Sequence, residues 1–187
     1  MTTISRLYDD NAHARAVVEE LGRYGVADAD ISLVSGHDPY VEISGAATGA
    51  AVGAAVGGSA GLLAGLGLMA IPGVGPVVAV GWLASTLAGA AAGATSLGIV
   101  GALPDTGVSA DDAEVYAEGL RRGGSLVSVR VTNGNHSEIE HILDDRTPVV
   151  VADRRAQYAS GGWNGFDQNA PSYTPKTPHP RQDATRP

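Results

Sequence analysis

The chain has 187 residues, a formal net charge of −8, a pI near 4.9, 17% charged residues, 26 glycines and no cysteine. The lack of cysteine excludes a disulfide framework, a thiol nucleophile, an iron–sulfur cluster and a thiolate zinc site. The acidic balance argues against a general nucleic-acid binder, and a charged fraction below the usual ~25% argues against a charge-rich disordered chain.

Residues 3–8 predict a short strand. Asp9, Asp10 or Asn11 can cap the next helix, where Ala14, Val17, Val18, Leu21 and Tyr24 recur at helical spacing. Gly25 predicts its end, and residues 30–35 predict a second strand. Next, Gly45, Gly49, Gly53, Gly57, Gly61 and Gly65 succeed one another at intervals of four, and Gly81, Ser85, Gly89, Gly93 and Gly101 continue that spacing later, with Leu97 breaking it. Spacing by four aligns residues on one helix face. A face of glycine costs roughly 1 kcal/mol per residue against Ala unless another backbone packs closely on it. Pro72, Gly73, Gly75 and Pro76 predict a reversal between the two arms. The expectation is therefore an antiparallel glycine-zipper hairpin with arms over 45–71 and 77–103, each about 40 Å long.

After the hairpin, Ser109 and Asp112 resemble a capping box for a helix bearing Ala113, Tyr116 and Leu120, which stops at Gly123 and Gly124. Residues 125–132 predict a strand, with Val127, Val129 and Val131 alternating on one face. Asn133, Gly134 and Asn135 predict a turn that caps a short helix bearing Ile139, Ile142 and Leu143. Residues 148–152 predict a last strand. Two strand–helix–strand units predict an α+β fold, a split βαβ sheet of ferredoxin-like type with its helices on one face. The expected organisation is a split α/β unit over 1–42 and 105–153, the glycine-zipper helical hairpin over 43–104, and a tail over 154–187 that is rich in Pro, Gly and polar residues and predicted to be disordered.

Charge is distributed along the same division. Residues 1–42 carry three Arg and eight acids; residues 105–153 carry four Arg and ten acids; residues 154–187 carry four Arg, one Lys and two Asp. The 62 residues between Glu42 and Asp105 contain no Asp, Glu, Lys, Arg or His. The arms are long enough to cross the roughly 30 Å core of a bilayer. Their insertion strength is small, because each Leu, Ile or Val contributes only about 0.3–0.6 kcal/mol while Gly and Ser oppose it. No cluster of Arg or Lys flanks the stretch, so it carries no signal for orientation. Trp82 reads either as an interfacial anchor or as core. The positive tail can dock on the acidic body, with Trp163, Phe166 and Tyr173 as a short recognition motif, against the plainer reading of a solvated tail. The N-terminus carries no basic segment leading into an apolar one, which predicts a cytoplasmic chain.

The N-terminal strand–helix–strand, the run from Gly45 to Gly58, the turn from Ala70 to Val77 and the segment from Asp112 to Arg130 together resemble the bacterial general-stress proteins, the heat-induced or general stress protein 17M-like family. The resemblance covers about residues 3–152. It implies a role in the stress response and supplies no catalytic motif.

Chemistry-bearing patterns are sparse. His136 and His141 stand five apart, off a common helix face, and read as part of a solvated helix rather than as metal ligands. Asp111 with Asp112 and Asp144 with Asp145 read as solvated faces. Gly65, Gly67, Gly73 and Gly75 lack the Lys and Ser/Thr of a phosphate loop. Arg121 and Arg122 close a helix, where they complement its dipole; an anion site is the other reading. No cofactor, metal or catalytic residue is expected. Two functions remain open. One is a non-enzymatic stress protein whose hairpin enters or coats the inner membrane from the cytoplasmic side, or self-associates. The other is a soluble cytoplasmic homo-oligomer with the hairpin buried in it and the α/β unit binding a ligand or partner.

Overall fold

The computed structural model describes residues 2–36, 68–71, 73–86, 100–101, 103–104, 107–132, 134–170 and 173. In chain order these form β1 (Thr2–Tyr8), α1 (Asn11–Tyr24), β2 (Ile31–Gly36), β3 (Leu68–Ile71), β4 (Gly75–Gly81), α2 (Ala110–Arg121), β5 (Ser125–Val131), α3 (His136–Asp144) and α4 (Val151–Ser160). A short helical stretch over 82–86 leads directly off β4. The fold is mixed α+β. Its sheet has the order β1-β5-β2-β4-β3, and every neighbouring pair is antiparallel. β1 and β2, joined through α1, therefore run parallel with β5 between them.

Local chemistry sets the element ends. Asp10 caps α1, its carboxylate accepting from Ala12 N at 2.7 Å. Ser109 caps α2, its hydroxyl accepting from Asp112 N at 3.0 Å. The Asp112 carboxylate turns to Arg155 at 3.2 Å, so it serves a tertiary contact. Asn135 closes the turn before α3 by accepting from Thr132 N and Thr132 Oγ1; its side chain does not cap the helix.

Helices cover both faces of the sheet, which corrects the expectation of one. All six residues of β2 and six of seven in β5 are buried, so each face needs a cover. On one face α1 and α3 pack Ala14, Val17, Val18, Leu21, Ile139 and Leu143 against Ile4, Ile31, Leu33, Val127 and Val129. On the other, Ala113, Tyr116, Ala117 and Leu120 of α2 meet Leu7, Val34 and Leu126. Buried hydroxyls within the sheet are paired. Ser5 Oγ and Ser128 Oγ lie 2.8 Å apart, Ser125 Oγ donates to Ser35 Oγ, and Tyr116 Oη donates to Ser5 O.

The expected last strand over 148–152 is also corrected. Val149 N donates to Leu7 O at 2.7 Å, a single backbone bond on the outer edge of β1. The chain then enters α4, where Ala152, Arg154, Arg155, Ala156 and Gln157 favour helix and Tyr158 is buried. A run of three valines is compatible with either state, and the residues after it decide. The expectation of a disordered tail is corrected over residues 154–170, which continue α4 and then lie against the body through Trp163 and Phe166; residues 171–172 and 174–187 of that tail lie outside the described residues.

The hairpin expectation changes most. The reversal at Gly73–Gly75 is present, with Val74 N donating to Ile71 O at 3.0 Å, but it joins two strands. Residues 68–71 and 75–81 form a β-hairpin whose β4 pairs with β2, from Ser32↔Gly81 to Gly36↔Val77. The ends of the expected helical arms are thus extended there. Ile71, Val74, Val77, Ala79, Leu83 and Leu103 are buried in the core beneath α2. Part of the charge-free stretch is uncharged because it is domain core. Gly45, Gly49, Gly53, Gly57, Gly61, Gly65, Gly89, Gly93 and Pro72 lie outside the described residues.

Burial raises the pKa of Tyr8, Tyr116 and Tyr158 above the ordinary phenol value of about 10. The protonated phenol is the form the fold favours. The stability these groups confer is full below the ordinary value and is lost as pH rises through the folded-state values. Tyr8 Oη also donates to Leu143 O at 2.6 Å. Tyr8→Phe should cost about 1 kcal/mol at neutral pH and move the midpoint of alkaline unfolding upward, as read by far-UV circular dichroism. An unmoved midpoint would show that Tyr8 does not drive the transition.

Candidate functional site

The densest polar cluster lies at the C-terminal end of α2. Glu118 is only 1% exposed and sits on the helix turn that also carries Arg121 and Arg122. Arg121 grips it as a fork, Nε donating to Oε2 at 2.8 Å and Nη2 to Oε1 at 2.7 Å. Arg122 Nε donates to the same Oε1 at 2.6 Å. Spacings of three and four place both guanidiniums over one carboxylate. The hydrogen bond to Glu118 raises the Arg121 pKa against the opposing effect of burial. Both arginines also complement the dipole at the helix end.

Aromatic rings from the C-terminal segment stack on these cations. The Arg122 guanidinium lies 4.3 Å from the Tyr158 ring centre and 4.8 Å from that of Tyr173, and Arg121 lies 5.5 Å from Tyr173. Tyr158 meets Trp163 edge-on, their centres 5.7 Å apart. Arg154 binds both carboxylate oxygens of Asp9, which ties α4 to the loop after β1; its side-chain hydrogen bond to Asp9 raises its pKa. Toward the other end of α2, Arg155 pairs with Asp112, and Phe166 N donates to Glu114 Oε2 at 3.4 Å. The expectation that the basic tail docks on the acidic body has residues to carry it.

The anion-site reading of Arg121 and Arg122 therefore meets an internal carboxylate already seated between them. Beyond that carboxylate, the two guanidiniums offer their faces to aromatic rings. An open depression of about 380 Å³ lies beside α4, lined by Asp9, Thr147, Pro148, Val149, Val150 and Arg154 among others. Arg154 and Asp9 engage each other across it, and Val150 is 61% exposed on its rim. Among the described residues no group of three His, Asp or Glu side chains could hold a metal ion. His136 Nδ1 lies 3.3 Å from Glu140 on an open face of α3, and His141 is exposed.

The zipper positions that are described do not share a face. Gly81 lies in β4, and the Ser85 hydroxyl donates to Trp82 O at 2.7 Å on the exposed side of the 82–86 helix. Gly101 is helical and partly buried. Gly73, Gly75 and Pro76 sit at the β3–β4 turn and the start of β4. Trp82 packs against the core below α2 with Arg130 4.2 Å over its ring. Sequence reasoning missed Glu118 and Tyr158. The one available signal was an acid three and four residues before paired arginines. No protein-family model, curated protein or solved structure matches the chain.

Proposed function

We propose that the chain is a non-enzymatic α+β scaffold that presents a charge-free, glycine-rich insertion to an apolar partner, either a membrane surface or further copies of itself. The observation that carries this reading is the way the insertion is anchored. Ile71, Val77, Ala79, Leu83 and Leu103, all within the uncharged 43–104 stretch, are seated in the domain core. Residues 43–67 and 87–99, which make up most of the rest of the stretch, carry no charge at all. A segment without charges has no means of facing water other than backbone and small hydroxyls, so it favours an apolar surrounding. No described helix is long and apolar enough to cross a membrane. The ferredoxin-like reading of the domain is supported by the position of β5 between β1 and β2. A role in the stress response rests on the resemblance to the general-stress proteins and predicts that protein level rises after heat or salt challenge.

The second reading, a soluble homo-oligomer with the rest of the insertion buried in it, is supported by the burial of Ile71, Val74, Val77 and Ala79 in the domain core, which seats this part of the uncharged stretch in protein. One experiment separates the two. Cells are lysed without detergent, the fractions are probed for the intact chain, and the soluble part is passed through size exclusion with light scattering. Membrane-pelleted protein supports lipid association. A discrete soluble oligomer supports self-association, and a soluble monomer overturns both.

A further inference from the structure

We propose that residues 161–170, together with Tyr173, form an intramolecular cover over α2 and the β3–β4 turn, with the Tyr173 stack on Arg121 and Arg122 as its clasp. The path of the segment is the first argument. Trp163 N donates to Tyr158 O at 3.0 Å, which turns the chain off the end of α4. Phe166 N then reaches Glu114 on α2, and the Phe166 ring packs on the core cluster that contains Ile71 and Val74.

Contact with the turn is the second argument. The backbone at Gly73 is so close to residues 166–168 that an added Cβ would collide with Gln168 Cα and approach the Phe166 ring. The turn in the middle of the charge-free stretch is thus roofed by the C-terminal segment. Beneath it Ile71 and Val74 are 4% and 5% exposed. The segment has structure of its own: Asn169 N donates to Asp167 Oδ1 at 2.8 Å and Ala170 N to Asp167 O at 3.1 Å.

The third argument is the kind of bond that holds it. Among the described residues the cover is held by the Phe166 N bond to Glu114, the Phe166 ring in its apolar seat, the close approach of 166–168 to Gly73, the edge of Trp163 on Tyr158 and the stacking of Tyr173 on two cations. These are side-chain and turn contacts at the rim of the domain, outside the ladder of the sheet, and such segments open more often than the sheet unfolds. Opening exposes Ile71 and Val74, which adds apolar surface of the uncharged stretch to what an apolar partner can meet. This last step rests on the proposed function; the cover itself does not.

Hydrogen exchange read by mass spectrometry on the full chain tests it. Tyr173→Ala should speed amide exchange over 71–81 and 161–170 by about 3- to 10-fold, leaving β1 and β5 unchanged. Tyr173→Phe keeps the ring and should restore protection. Unchanged exchange at 71–81 in Tyr173→Ala would overturn the cover, as would an equal rise in β5, which would mark general destabilisation. The same variant is then floated with phospholipid vesicles and sized by light scattering. Faster exchange at 71–81 with no gain in vesicle binding or self-association leaves the cover standing and counts against the proposed function.

Discussion

Glu118→Ala should destabilise the protein by about 2–3 kcal/mol, read as a lowered urea midpoint. Glu118 lies between Arg121 and Arg122, and it takes bonds of 2.6–2.8 Å from both. Its side chain is 2% exposed, while those of Arg121 and Arg122 are 15% and 31% exposed. Breaking a fully buried ion pair costs about 3–5 kcal/mol, because the remaining charge is stranded. Here the arginines can recover some water, which lowers the figure. Glu118→Gln keeps one carbonyl acceptor and should cost less than Ala. The Ala variant should also loosen the seat of Tyr158 and Tyr173, whose rings lie on the same guanidiniums. A loss well below about 1 kcal/mol for Glu118→Ala would mean that both arginines re-solvate freely and that the cluster organises nothing.

Gly81→Ala should cost about 3 kcal/mol or more, and its sign separates two structures. In a water-exposed helix the change from Gly to Ala gains roughly 1 kcal/mol. In the observed β4 terminus Gly81 has φ +89°, where an L side chain is strained by about 1–3 kcal/mol. An added Cβ would also collide with Ile31 O in the neighbouring strand. That neighbour is backbone, so it cannot swing aside. The β2–β4 pairing, which ends at Ser32↔Gly81, would open at this point. A stabilised Gly81→Ala protein in thermal or urea unfolding would contradict the strand.

The flanks of the chain were legible because their patterns are periodic and long. Ala14, Val17, Val18 and Leu21 mark one face of α1, and all four are buried. Val127, Val129 and Val131 alternate along β5, and all three meet the α1 face of the core. Ser109 caps α2 as its position before an apolar helix predicts. The middle of the chain was ambiguous for a physical reason. Short apolar runs such as Leu68–Ile71 and Gly75–Gly81 satisfy both helical and extended patterns, and a glycine every four residues does not exclude a strand. The free edge of β2 decides, because it offers β4 a ladder of backbone bonds. The same holds for the triple valine at 149–151, where β1 accepts one bond and the helical preference of residues 152–157 prevails.

The candidate site was less legible than the fold. The pair Arg121–Arg122 was visible, but its meaning depends on the depth of Glu118 and on rings 36 to 52 residues further along the chain. No local pattern encodes that Tyr158 and Tyr173 return to the end of α2, since the contact depends on the placement of α4, which the Arg154–Asp9 pair ties to the loop after β1. The sequence by itself determined the flank elements from β1 to β2 and from α2 to α3, the absence of thiol chemistry and the charge-free stretch, all of which come from side-chain identity and local spacing. Tertiary structure alone decided that the middle reversal is a β-hairpin, that the sheet is covered on both faces, and that residues 154–170 form a helix and a segment lying on α2. Those three outcomes depend on which edges and faces remain to be filled after the rest has packed, and that is a property of the assembled fold.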